Sequence, residues 1–234
     1  WAFKRGIDTK TTRTKMAAGT GVLPDGLLKP STVYRAGVIF LIVGSLIGSY
    51  FVITYGILIA IILGFAILSI YFYSTKIVDS GLGEFFVGVK GSMIVIGTFF
   101  IQSGEVNFES ILAGVVVGTL SSLVLFIASF PDHDADKSKG RKTLVIVVGK
   151  EKARKIFWVF PLIVYSVILI GVSVNLFPLL SLICFLGFPL MIKSGLGLQK
   201  NYTCVDDLVP YMSSTLKFSR ITGILFVISF LIPV

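Results

Sequence analysis

Apolar residues fill most of the chain in runs that are separated by short polar segments. A run of about twenty apolar residues, coiled as an α-helix, crosses the hydrocarbon core of a membrane. The pattern therefore predicts an all-α membrane protein with seven spanning helices, at residues 34–52, 55–73, 85–102, 109–130, 156–174, 177–192 and 217–233. The sixth run is short enough to predict a tilted or irregular helix.

The composition agrees with this prediction. Hydrophobic residues make up 55% of the chain and charged residues 14%, with a mean hydropathy of +0.94, whereas soluble domains carry about 25% charged residues. The net charge of +9 would indicate nucleic acid binding in a soluble protein. In a membrane protein, excess basic charge first indicates which loops lie on the cytoplasmic side. We therefore expect the lipid bilayer as a partner and no nucleic acid. With two cysteines and one histidine, neither a disulfide framework nor a His/Cys zinc site is expected.

The basic residues are confined to alternate loops. All 21 lysines and arginines lie in the N-terminal segment, around the start of the third span, after the fourth span, or between the sixth span and the start of the seventh. The intervening loops contain none. Because loops rich in lysine and arginine remain in the cytoplasm, we expect a multi-pass protein of the cell membrane whose charged loops are cytoplasmic.

The densest cluster of charge follows the fourth span, in the stretch FPDHDADKSKGRKTL, residues 130–144. In a helical continuation of this span, Asp132 and Asp136 share one face and Asp134 points elsewhere. Magnesium is commonly bound by a few carboxylates together with substrate phosphates, and basic side chains hold phosphate oxygens. The stretch therefore predicts a metal–diphosphate site at the membrane surface. The alternative is a solvated cytoplasmic loop, the more usual meaning of mixed charges after a span.

Several motifs together resemble the UbiA superfamily of intramembrane prenyltransferases, and especially its branch that prenylates dihydroxynaphthoate on the way to menaquinone. The family's second motif, D-x-D-x-D-x-x-x-G-K/R-x-T-L, is matched by Asp132, Asp134, Asp136, Gly140, Arg141, Thr143 and Leu144. Residues 6–9 match the end of the first aspartate-rich motif, and residues 81–84 resemble the family's G-L-G-E. The resemblance runs from Phe3 to about Lys155; beyond that point only the hydropathy pattern carries it.

The sequence departs from the family pattern in two ways. The family has nine spans, whereas the apolar runs of this sequence predict seven. The sequence also begins inside the first aspartate-rich motif. We therefore expect a single prenyltransferase domain over residues 1–234 that lacks the two N-terminal helices. Ala2 stands where the family usually has an aspartate, and an alanine cannot bind metal.

The resemblance implies a helix bundle around a lipid-open cavity, in which a prenyl group passes from an allylic prenyl diphosphate to an aromatic quinone precursor with Mg²⁺ as cofactor. It implies three catalytic and metal-binding aspartates, Asp8, Asp132 and Asp136. It also implies diphosphate-binding roles for Arg13, Tyr73 and Lys76. The charge pattern adds three further candidates for binding the diphosphate, namely Lys90, Arg141 and Lys142. Lys90 stands out on its own, because a lysine inside an apolar helix is costly and usually functional, although it can also extend to the nearby membrane surface.

Two other functions remain open at this point. An enzyme that prenylates a glycerol-phosphate lipid would share the aspartate motifs and differ only in its acceptor. A small-molecule transporter would also use charged residues within the membrane and glycine-rich helices. The sequence lacks the matched inverted halves with broken helices that are typical of transporters, and its polar residues gather at one face of the membrane.

Overall fold

The computed structural model describes residues 3–4, 6 and 21–232. All regular elements of this part of the chain are helices, so the predicted all-α fold is confirmed. The α-helices are α1 (Pro30–Tyr55), α2 (Ile57–Phe72), α3 (Gly83–Ser103), α4 (Phe108–Ser138), α5 (Leu144–Val148), α6 (Lys150–Ile156), α7 (Val159–Ser173), α8 (Phe188–Asn201) and α9 (Val205–Leu231). A π-helical turn (Tyr73–Ile77) and a 3₁₀ turn (Val78–Ser80) follow α2, and a 3₁₀ helix (Leu179–Gly187) precedes α8.

Six helical segments in the described part of the chain are long and apolar enough to cross a membrane. They are α1, α3, α4, the pair α6–α7, the 3₁₀ helix with α8, and α9. The predicted second span corresponds to α2, which has only 16 residues. Each predicted span is thus helical, while the count of seven spans stays a prediction. The sixth predicted span, 177–192, begins with the 3₁₀ helix, in agreement with the irregular helix that its short apolar run predicts.

The predicted start of the seventh span, residue 217, was wrong. The structure begins α9 at Val205, so residues that were assigned to a loop belong to the helix. Polar residues in this part lower the hydropathy, yet Ser214 and Thr215 are buried. Their hydroxyls donate to carbonyl oxygens one turn earlier, at 3.1 and 3.0 Å, and this bonding lets a polar residue sit inside a buried helix.

The centre of the fold is α4, which packs against α3, α7 and α9. Its closest neighbour is α3, and glycines make this approach possible. A Cβ atom on Gly118 would clash with the carbonyl oxygen of Gly88, and Ser92 Oγ donates to the Gly114 carbonyl at 2.9 Å. Small residues allow helices to pack closely in a membrane. This close contact fixes the position of α3 relative to the end of α4, where the predicted motif lies.

Candidate active site

A polar cavity of about 130 Å³ lies at the C-terminal end of α4. The helix continues past its apolar part as far as Ser138, so Asp132 and Asp136 fall one turn apart on the same face. Both aspartates line the cavity. The remaining lining residues come from the earlier turns of α4, the segment after α2, the start of α3 and the loop after α4, namely Leu125, Ala128, Ser129, Tyr73, Val78, Gly83, Glu84, Arg141 and Thr143.

Asp136 and Arg141 form a largely buried ion pair in this cavity. The Arg141 Nη1 atom donates to Asp136 Oδ1 at 3.0 Å, and the two side chains are 17% and 3% exposed. The chain turns back after α4 at Gly140, whose φ of +75° favours glycine, and the Arg141 backbone N–H donates to the Asp136 carbonyl. The Arg141 Nε atom has no partner among the described residues. The guanidinium therefore retains a donor for a bound anion.

Asp134 lies outside the cavity. Its side chain is 83% exposed and accepts from Lys150 Nζ at 3.3 Å. It also lies 2.7 Å from His133 Nδ1. The contact with Lys150 connects the end of α4 with the start of α6. The structure thus places two of the three aspartates of the motif inside the cavity and one outside it.

Tyr73 contributes a hydrogen-bond donor to the wall of the polar cavity. It is the first residue beyond α2, in the π-helical turn. Burial, together with the nearby Glu84 carboxylate, raises the pKa of Tyr73. The phenol therefore stays protonated at neutral pH and donates to an anion rather than repelling it.

Glu84 is a functional candidate that the sequence reasoning missed. It is only 4% exposed, and Ser122 Oγ donates to its backbone carbonyl at 2.7 Å. Ser129 Oγ lies 3.5 Å from its Oε1 atom, while Oε2 has no partner among the described residues. In the sequence analysis, the G-L-G-E stretch at residues 81–84 supported the family resemblance, and no function was assigned to Glu84. The signal that points to Glu84 is a carboxylate in the first turn of an apolar helix, where charge is costly and usually functional.

Glu84 also lines a second, larger cavity of about 630 Å³ between α3, α4 and α7. The other lining residues are almost all apolar or small, namely Phe85, Gly88, Val89, Ser92, Met93, Ile96, Val115, Thr119, Ser122, Leu144, Ile156, Val159, Phe160 and Ile163. We call it the apolar cavity. Because Glu84 is common to both walls, the polar and apolar cavities adjoin at this residue.

Three other predicted diphosphate-binding residues that the structure describes do not line the polar cavity. Lys142 is exposed, and Lys76 is exposed with its Nζ atom 5.3 Å from the centroid of the Phe72 ring. Lys90 lines a third cavity, between α2 and α3. Of the predicted site residues within the described part of the chain, the structure brings together Asp132, Asp136, Tyr73 and Arg141. Asp8 and Arg13 lie outside the described residues.

The donor set of the polar cavity fits a hard divalent cation. Asp132 and Asp136 offer carboxylate oxygens from one helical face, and Mg²⁺ is often bound by one or two carboxylates plus substrate phosphates. Within residues 21–232, no group of three or more His, Cys, Asp or Glu side chains is arranged to hold a metal ion. The pair therefore fits a metal that binds together with a phosphate ligand better than a closed structural site.

Comparison with known proteins identifies the family. The chain matches the UbiA prenyltransferase family over residues 3–204. It is 29% identical to a 1,4-dihydroxy-2-naphthoate octaprenyltransferase of Bacillus subtilis, an alignment that covers 98% of this chain and 74% of the relative. It is 30% identical to the Escherichia coli enzyme of the same name, over 63% of this chain and 48% of that relative. No solved structure matches the chain significantly. The chain therefore belongs to the UbiA prenyltransferase family, and it is a prenyltransferase and a multi-pass membrane protein.

Proposed function

We propose that the protein transfers a prenyl group from an allylic prenyl diphosphate to an aromatic acceptor, a dihydroxynaphthoate as in the two named relatives, with Mg²⁺ as cofactor. The observation that carries this proposal is the junction at Glu84, where a polar cavity that contains two aspartates and an arginine adjoins an apolar cavity. A prenyl diphosphate has the same division, a charged head and an apolar tail.

The head and the tail of the donor each have a matching environment. Asp132 and Asp136 would hold Mg²⁺, which when bound neutralises charge on the leaving diphosphate. Arg141 and Tyr73 would donate hydrogen bonds to the phosphate oxygens. The apolar cavity would take the isoprenoid tail and keep water away from the reacting carbon. Asp8, Arg13, Lys76 and Lys142 stay predictions from the sequence as further metal or diphosphate ligands.

In the proposed reaction, the bond between the allylic carbon and the diphosphate oxygen breaks and that carbon bonds to a carbon of the aromatic ring. The ring carbon then loses its hydrogen as a proton or its carboxyl group as CO₂, which restores the aromatic ring. The diphosphate leaves with the electron pair of the broken bond. Preorganised donors at the departing oxygens lower the barrier to this step. We also propose that the protein lies in the cell membrane with the polar cavity on the cytoplasmic side, because the basic loops that surround it follow the positive-inside rule.

The direct test uses the protein in lipid nanodiscs with Mg²⁺, octaprenyl diphosphate and 1,4-dihydroxy-2-naphthoate. We expect release of diphosphate and a prenylated naphthalene product, detected by mass spectrometry, and loss of both with EDTA. Movement of a substrate across liposomes without any diphosphate release would instead indicate a transporter. Prenyl transfer to a glycerol-phosphate lipid but not to the naphthoate would reject the aromatic acceptor.

A further inference from the structure

A third cavity, of about 300 Å³, lies between α2 and α3 and is lined by Ser69, Ile70, Tyr73, Phe86, Val87 and Lys90. We call it the Lys90 cavity. It shares Tyr73 with the polar cavity and shares no lining residue with the apolar cavity. Among the described residues, Tyr73 is the point at which the Lys90 cavity and the polar cavity meet.

Two donor groups in the Lys90 cavity lack partners within the described part of the chain. The Ser69 Oγ atom is buried and has no hydrogen-bond partner there. Other helical serines differ, since Ser45 and Ser121 each donate to a carbonyl oxygen one turn earlier. Lys90 is exposed, and no described residue forms an ion pair with it. A buried hydroxyl without a partner, such as that of Ser69, is costly in an apolar environment. Two such donors in one cavity fit a ligand that supplies acceptors, and the ammonium favours an anion.

Aromatic rings form part of the same wall. The Phe86 ring stacks on Phe65 with ring centroids 5.8 Å apart and planes at 3°, so its orientation is fixed. Tyr73 provides a second ring. Flat aromatic ligands pack well against such rings. The cavity thus offers one cation, one hydroxyl and two aromatic side chains, a set that matches an aromatic carboxylate.

A diphosphate fits the Lys90 cavity less well. It carries more negative charge than one lysine can neutralise, and Lys90 is the sole charged residue among those that line this cavity. The Arg141 guanidinium and the aspartate pair lie in the polar cavity instead. The charge of Lys90 matches a ligand with a single negative charge.

We propose that the Lys90 cavity binds the aromatic acceptor, with the acceptor carboxylate on the Lys90 ammonium, a hydrogen bond from Ser69 and the ring against Phe86. This inference rests on the proposed function and assigns Lys90 to the acceptor instead of the diphosphate. Because Tyr73 is common to the Lys90 cavity and the polar cavity, an acceptor bound here lies beside the donor's head group. Binding energy at Lys90 is then used to position the ring for reaction.

The first test measures binding without catalysis. The probe is 1-hydroxy-2-naphthoate, titrated by its fluorescence into protein in nanodiscs with no prenyl donor. We expect Lys90→Met to weaken binding by about tenfold or more, the usual scale for a lost charge-assisted contact, and Lys90→Arg to restore most of it. Ser69→Ala should weaken binding severalfold. Lys193→Met, which removes another exposed lysine within a helix, is the matched control and should bind like the wild type.

A second probe, 1-naphthol, lacks the carboxylate, and its binding should be weak and insensitive to Lys90→Met. Equal losses for both probes would overturn the proposal, because they would show a general disturbance of the cavity. Unchanged naphthoate binding in Lys90→Met would also overturn it and indicate that Lys90 only extends to the membrane surface. Thermal unfolding of each variant checks that the helices remain folded.

Kinetics separate this proposal from the diphosphate role and from the proposed function itself. In Lys90→Met we expect the KM for the naphthoate to rise while the KM for the prenyl diphosphate stays unchanged. A rise in the donor KM alone would assign Lys90 to the diphosphate and overturn the proposal. If the wild type bound the naphthoate through Lys90 but transferred no prenyl group, the proposed reaction would fail and the aromatic carboxylate site would stand.

Discussion

The polar and apolar cavities use two parts of the same helix for opposite chemistry. Near the middle of α4, Val115 and Thr119 face the apolar cavity of about 630 Å³. Near its end, Asp132 and Asp136 face the polar cavity of about 130 Å³. The difference shows how one continuous helix can hold a ligand at the boundary between lipid and water. An apolar tail is favoured in one cavity by the hydrophobic effect, while a charged head needs the paired charges of the other.

The largest expected effect comes from the polar cavity. Asp132→Asn removes one negative charge from the proposed metal site and should lower kcat/KM for the prenyl diphosphate by a hundredfold or more, on the order of the loss of one stabilising group at a transition state. Asp134→Asn is the matched control, because the Asp134 side chain is 83% exposed and is not among the residues that line the polar cavity. Steady-state diphosphate release measures both variants. An equal fall in kcat/KM for Asp132→Asn and Asp134→Asn would contradict the interpretation that only the aspartates on the cavity-facing side of the helix bind the metal.

The apolar cavity can be tested by filling it at two depths. Val89 and Ile96 both line it, and at about 1.5 Å of rise per residue along α3 the second lies roughly 10 Å farther from Glu84. Val89→Trp should slow transfer from donors of every length. Ile96→Trp should lower kcat/KM for octaprenyl diphosphate by about tenfold and spare geranyl diphosphate. If each variant changed kcat/KM for octaprenyl and geranyl diphosphate by the same factor, the isoprenoid tail would lie outside this cavity.

A smaller effect is expected at Glu84, where the two cavities meet. Glu84→Gln keeps a side-chain oxygen that can accept from Ser129 and removes the charge, so the contact between α3 and α4 should persist. We expect a severalfold fall in kcat, because a carboxylate at the junction favours positive charge on the allylic carbon. The thermal midpoint should stay close to that of the wild type. A large fall in thermal stability with unchanged kcat would make Glu84 a packing residue only.

The smallest effect concerns orientation and should leave activity unchanged. In a Cys204→Ser background, Val106→Cys should react with a membrane-impermeant maleimide added to whole cells, while Ser138→Cys should react only after permeabilisation. Val106 is exposed in the short loop before α4, and the native Cys184 is buried. The reverse labelling pattern would place the polar cavity on the outer face.

The aspartate pair could be predicted from the sequence because it depends on a local period. Asp132 and Asp136 are four residues apart, and any helix that continues from the fourth span puts them on one face. The ion pair of Asp136 with Arg141 is also close in sequence, since a single turn at Gly140 brings the two together.

The features that the sequence did not predict depend on contacts between distant segments. Glu84 lies where two cavities meet, and the glycine contacts of α3 with α4 set this position. The Lys90 cavity depends on how α2 and α3 pack. The hydrophobic period of each helix does not predict how the two helices pack against each other. The early start of α9 was missed because hydropathy penalises buried serine and threonine whose hydroxyls are satisfied within the helix.

We propose that the carboxylates of Asp132 and Asp136 bind a divalent metal together with a diphosphate. Electron paramagnetic resonance of Mn²⁺, which takes the same oxygen ligands as Mg²⁺, tests it most directly when the protein in nanodiscs is titrated with and without a non-hydrolysable geranyl thiodiphosphate. We expect one tightly bound Mn²⁺ that appears only with the diphosphate analogue, is lost in the Asp132→Asn/Asp136→Asn double variant and persists in Asp134→Asn. Equal Mn²⁺ binding in the double variant and the wild type would contradict it.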